Sequence, residues 1–152
     1  MQYRVEAIHK KDCKDPDGLS ALGEARDLGI NSIKDIAAVD VYIVDGELAE
    51  DDVHTLAENL FVDPVVQQYR LCDSEREEWP RFAGEQTHTI EVSRKQGVMD
   101  PVQQSAMKGA ADLGLAEKID SIRTARNYVV RGDVSRSELE HLATGALANK
   151  TI

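Results

Sequence analysis

An α/β (α+β) fold built from two copies of one small unit is what this 152-residue sequence predicts. Three observations point to it: an internal repeat, short runs of alternating apolar residues that open each copy, and helix-start and helix-stop signals at matching places. Residues 15–30 read DPDGLSALGEARDLGI and residues 100–115 read DPVQQSAMKGAADLGL. At a constant offset of 85, eight of these sixteen positions are identical, among them Asp15/Asp100, Pro16/Pro101, Ala21/Ala106, Ala25/Ala110 and Gly29/Gly114. One residue slips and the offset becomes 86, pairing Ile33/Ile119, Ile36/Ile122, Tyr42/Tyr128, Val44/Val130, Gly46/Gly132, Leu56/Leu142 and Ala57/Ala143. Self-similarity at a fixed spacing is the mark of a duplicated structural unit. The expected organisation is a first unit over 1–72, an acidic linker over 73–87 and a second unit over 88–152, related by a pseudo-twofold, with sheets that face each other or join and helices outside.

Each copy opens with a strand, Tyr3–Ile8 and His88–Ser93, in which apolar residues recur at alternate positions. Asp15-Pro16 and Asp100-Pro101 then announce a helix, because Asp caps exposed backbone N–H groups and Pro is pre-shaped for the first helical position. Gln103 completes a capping box with Asp100, and Gly29 and Gly114 stand where a left-handed helix end is wanted. Val102, Ala106, Ala110 and Leu113 form an apolar stripe, matched by Ala21, Ala25 and Leu28.

A long extended segment follows, Ile33–Val44 and Ile119–Val130, ending at the turns Gly46 and Gly132. Val41-Tyr42-Ile43-Val44 is apolar on both faces, so helices are expected on one side of it and another sheet on the other. The second helix places Val53, Leu56, Ala57 and Leu60 on one face, matched by Leu139, Leu142, Ala143 and Ala146, with a capping box at Ser135/Glu138. Copy one closes with a strand over Val65–Leu71 after the turn at Asp63-Pro64. Thr151-Ile152 aligns with Val65-Val66, leaving no counterpart of Gln67–Leu71. The expectation is an unfilled sheet position, self-association through that edge, and a chain that is the front part of a longer polypeptide.

The net charge of −10 is uneven: −8 over residues 1–72, −3 over 73–86 and +1 over 87–152. An acidic first half excludes a nucleic-acid footprint; it reads as a solvated face or as an acidic docking surface. The apolar runs are far too short for a membrane span, and the N-terminus lacks a signal peptide's basic start and apolar stretch. Cys13 and Cys72 read as reduced thiols of a cytoplasmic protein. The histidines, His9, His54, His88 and His141, show no metal spacing, no nucleophile has an evident neighbouring base, and no glycine-rich phosphate loop is present. No catalytic residue, cofactor or metal is expected. Lys118, Arg123, Arg126 and Arg131 form a basic set on the extended segment of copy two, read either as charge protecting a sheet edge or as a docking surface for a partner domain. Trp79, in the linker, anchors it to a neighbour or plugs the protein's own core.

Lys95-Gln96-Gly97-Val98-Met99-Asp100-Pro101, set between a strand and a helix ending in Leu113-Gly114, resembles the opening motif of the PurS family. Asp63-Pro64-Val65-Val66-Gln67-Gln68-Tyr69-Arg70-Leu71 resembles that family's closing strand. Copy one departs from the opening motif, carrying Lys11-Asp12-Cys13-Lys14 in its place. The resemblance covers nearly the whole chain outside the linker. It implies ferredoxin-like units and a part in phosphoribosylformylglycinamidine synthase, a ligase of de novo purine biosynthesis. That enzyme converts formylglycinamide ribonucleotide to its amidine with ATP and ammonia from glutamine. The implied role is a non-catalytic assembly domain bridging the synthetase (PurL-like) and glutaminase (PurQ-like) parts, as in the fused pair at the N-terminus of the single-chain enzymes. The rival from another class is a ferredoxin-like effector-binding module, which calls for a polar or glycine-rich loop at matching places in both copies.

Overall fold

The computed structural model of the chain describes residues 1–72, 79–82, 85–93 and 101–147. The opening motif at 95–100, and with it the Asp100 half of the expected capping box, lies outside the described residues, as does Thr151-Ile152. Strand β1 (Gln2–His9) leads to helix α1 (Pro16–Asp27), strand β2 (Ile33–Gly46), helix α2 (Glu50–Leu56) and strand β3 (Gln67–Cys72). Strand β4 (Thr87–Ser93), helix α3 (Pro101–Asp112), strand β5 (Ile119–Gly132) and helix α4 (Arg136–Leu142) follow. Both α2 and α4 run on into a π-helical turn, Ala57–Phe61 and Ala143–Leu147, 86 residues apart.

The start of α1 shows how sequence becomes placement. The Asp15 carboxylate accepts the Gly18 N–H at 3.0 Å, capping the helix, and its second oxygen accepts the Ala38 N–H at 2.9 Å. On that side of β2 the pairing with β1 ends at Ile8↔Val39, so Asp15 supplies the acceptor that a longer β1 would have given. Gly29 and Gly114 close α1 and α3 with φ of 83° and 76°. Ser135 and Glu138 form the expected capping box on α4.

All five strands belong to one antiparallel sheet of order β3-β1-β2-β5-β4. Strands from before the linker (β1, β2, β3) and from after it (β4, β5) therefore join edge to edge, along β2 and β5. Between the register shifts at their ends, even-numbered residues of β2 (36–44) and β5 (122–130) point to the helices. Ile36, Ala38 and Val130 pack with Ala21 and Ala25 of α1 and Leu142 of α4, whereas Val44 and Ile122 pack with Val53 and Leu56 of α2 and Ala106 and Ala110 of α3. Each core thus takes one helix from residues before the linker and one from residues after it. Of the expected α3 stripe, Ala106 and Ala110 are buried but Val102 and Leu113 are 47% and 37% exposed.

The opposite face departs from the expectation of a second sheet. Among the described residues it is covered by the linker: Trp79 and Phe82 pack on Ile8, Ala37, Val39, Val41 and Val129. Two aromatic side chains supply the large apolar area that a second sheet would have brought. The closing strand also starts later than expected, because Val65 and Val66 form a turn held by the Val65 N–H on the Asp63 carboxylate at 3.1 Å and by the Gln67 N–H on the Asp63 carbonyl at 2.7 Å. At the far edge β4 has β5 on one side and no partner strand on the other among the described residues.

Candidate functional site

The β2/β5 junction gathers most of the charged residues singled out in the sequence. The register sets Asp40 opposite Arg126, Asp35 opposite Arg131 and Asp45 opposite Ser121. Arg126 Nη2 lies 2.9 Å from Asp40 and its Nη1 3.3 Å from Asp17 of α1. Arg131 lies 3.2 Å from Asp35 and 2.6 Å from Glu85. Asp45 accepts the Ser121 hydroxyl at 3.2 Å and lies 3.5 Å from Arg123, and Lys118 reaches Asp52 at 3.4 Å. Each of the four basic residues on or beside β5 therefore meets an acid from the first 86 residues. Because β5 is an inner strand, edge protection is not their task.

Burial by itself would lower the Arg126 pKa, but Asp40 and Asp17 outweigh it and raise the guanidinium above its ordinary value. The Arg131 pKa is raised chiefly by its hydrogen bond to Glu85, against a smaller effect of burial. Sequence reasoning flagged the arginines and missed Asp35, Asp40 and Asp45. Their signal was available: three aspartates spaced by five, separated by the apolar runs Ile36–Val39 and Val41–Val44.

Two glycines let the seam close. A Cβ on Gly46 would lie 2.1 Å from the Lys118 carbonyl oxygen, and one on Gly132 would lie 2.4 Å from the Ser32 carbonyl oxygen. Gly46 and Gly132 are repeat partners, and so are Ser32 and Lys118. On the helix side a cavity of about 440 Å³ sits over the seam, its walls including Asp17, Glu24, Tyr42, Tyr128 and the Asp40–Arg126 pair. Tyr42 stacks on Phe61 of the first π-turn, centroids 4.2 Å apart and planes 3° from parallel.

On the other face a polar network continues the cover begun by the linker. Glu6, 2% exposed, takes Arg4 at 2.8 Å and Arg70 at 3.0 Å. Arg4 also reaches across the sheet to Glu91, which the Asn127 side chain meets at 3.3 Å. Burial would lower the Arg4 pKa, but the hydrogen bonds to Glu91 and Glu6 raise it. The Arg70 guanidinium lies 4.2 Å from the Trp79 ring centroid, within cation–π range. Trp79 is 7% exposed, a plug over the chain's own sheet. A smaller cluster joins α2 to β3: the Tyr69 hydroxyl donates to Glu58 at 3.0 Å and lies 2.7 Å from His54 Nδ1. Burial first, and Glu58 second, raise the Tyr69 pKa.

Cys13 and Cys72 are free thiols. Among the described residues no group of three His, Cys, Asp or Glu side chains is placed to hold a metal ion, and no described helix is long and apolar enough to cross a membrane. What the arrangement can do is hold two strands in one register and close both faces of the sheet they build.

Fold and seam together define an α/β module whose polar chemistry is spent on holding strands in place. Residues 2–75 match the family model PurS, described as Phosphoribosylformylglycinamidine (FGAM) synthase. Residues 2–75 are thus PurS-like, and this match supports a part for the chain in FGAM synthase and purine biosynthesis. No curated protein matches it.

Proposed function

We propose that the chain is a doubled PurS unit: a non-catalytic assembly module that holds the synthetase (PurL-like) and glutaminase (PurQ-like) parts of FGAM synthase together. Its boundaries are 1–72 and 88–152, with 73–87 as the strap between them. The observation that carries the doubling is the register of the seam. Asp40 faces Arg126, and these are the same position of the two sequence copies, 86 apart. A strand pair that opposes equivalent positions has a twofold axis at that point, and the contacts Gly46–Lys118 and Gly132–Ser32 are interchanged by the same axis. The family match supports the enzyme; the pairing of each flagged basic residue with an acid of this same chain supports a structural role. An effector-binding module has the cavity over the seam as its observation, yet the charged floor of that cavity is already paired internally.

The test is reconstitution. The purified chain is added to the synthetase and glutaminase parts, and glutamine-dependent FGAM formation is followed. The expected result is no turnover by the chain alone and a gain in coupled activity, with a complex visible by size-exclusion chromatography, when all parts are present. Glutamine hydrolysis or ATP consumption by the chain alone overturns the reading, and so does coupled activity indifferent to its presence.

A further inference from the structure

The seam carries more charge order than holding two strands together needs. On β2 the acids Asp35, Asp40 and Asp45 recur every five residues, and β5 answers with Arg131, Arg126 and Arg123. We propose that this pattern is a pairing code that makes the first unit accept the second unit and reject another copy of itself. The inference rests on the doubled-unit reading above.

Applying the repeat offset of 86 to the observed pairing shows what each unit would meet in a partner like itself. Two first units joined through β2 would set Asp40 against Asp40, and Asp35 against Asp45 twice. Two second units joined through β5 would set Arg126 against Arg126. Opposite charges directly across an antiparallel pair are favourable and like charges there are unfavourable. The discrimination thus has an attractive and a repulsive half, which is how a specific pairing is separated from its competitors. Asp40 fits no other task well: a strand buried on the helix side by Ile36, Ala38 and Val44 gains nothing locally from a carboxylate beside them. The pair is half-sheltered, with 32% of each side chain exposed, so its charges are less screened than at an open surface.

Two experiments on the full chain decide it. In the first, Asp40→Arg, Arg126→Asp and the double exchange are compared by thermal unfolding at low and high salt. Each single reversal is expected to lower Tm by about 3–6 °C at low salt. The double exchange should regain more than half of the summed loss, and 1 M salt should narrow the differences. Additive losses in the double exchange, or single reversals that melt like the parent, overturn the code. In the second, a chain with Arg123, Arg126 and Arg131 all changed to Asp is mixed with one in which Asp35, Asp40 and Asp45 are all changed to Arg. The mixture is expected to give a two-chain complex that melts above either component, because only the mixture sets acid against base. A mixture that behaves as the sum of its parts contradicts the proposal. Amide hydrogen exchange on the parent separates the two levels: unprotected amides along β2 and β5 sink the doubled-unit reading itself, whereas protected amides with inert charge variants sink the code alone.

Discussion

At Gly132 the chain passes so close to Ser32 that an added Cβ would lie 2.4 Å from a backbone oxygen, with φ at +137°. Neither partner is a flexible side-chain end, so Gly132→Ala must move backbone and adopt a conformation that side chains avoid. We predict a loss of about 1–3 kcal/mol, measured by urea unfolding; a variant as stable as the parent contradicts the close approach. A charge prediction belongs at this scale as well. Glu138 accepts the Ser135 N–H at 3.1 Å and the Ser32 hydroxyl at 3.1 Å, and these bonds hold its carboxyl below the usual carboxylate range. Folding therefore favours the ionised form. The contribution is complete above the unfolded carboxylate pKa of roughly 4.3 and is lost as pH falls through the lower folded value. The Tm gap between the parent and Glu138→Gln should shrink as pH drops from 7 to 3, and a constant gap would count against it. At this scale the caps were legible because Asp-Pro and Ser-x-x-Glu act within one turn. The partners of Arg123, Arg126 and Arg131 were not, because register joins residues about 80–100 apart.

The elements divide in the same way. The helix starts and the alternation of β1 and β4 could be read directly, since period and caps are local. The π-turns at Ala57–Phe61 and Ala143–Leu147 could not: an i→i+5 bond is chosen by packing, here by bringing Phe61 onto Tyr42 and Leu147 into the core beside Tyr128. The cover on the second sheet face was half legible. The both-faces-apolar run in β2 demanded a cover, but only the fold shows that Trp79 and Phe82 provide it. Leu56 and Leu142 end α2 and α4 at equivalent positions and both are 0% exposed. Leu→Ala at either should cost about 2–5 kcal/mol, and the two losses should be alike. A loss under 1 kcal/mol at one of them breaks the equivalence of the two helices. Among the described residues strand β4 is paired on one side only, and the Gly132 N–H bonds the Gln86 carbonyl just before it. Continuing that alternation, the amides of Thr89 and Glu91 point away from β5 and should exchange faster than that of Ile90. Equal protection along β4 would mean that another strand lies on its outer edge.

Across the whole molecule the decisive feature is that neither core belongs to one half. One is closed by α2 from before the linker and α3 from after it, the other by α1 and α4. This sharing of the cores was not legible in the sequence, because which helix covers which end of a long strand follows from how β2 and β5 cross. Units of this size bury too little surface alone, and each core here is completed by a helix from the other side of the linker. The proposed doubled module, with its shared cores, is therefore tested most directly by dividing the chain. Residues 1–72 and 79–152 are produced separately, and urea unfolding is followed by far-UV circular dichroism for each fragment and for the equimolar mixture. The account predicts no cooperative transition in either fragment and, in the mixture, a single transition from a 1:1 complex. A fragment of residues 1–72 that alone unfolds cooperatively at the midpoint of the intact chain would contradict it.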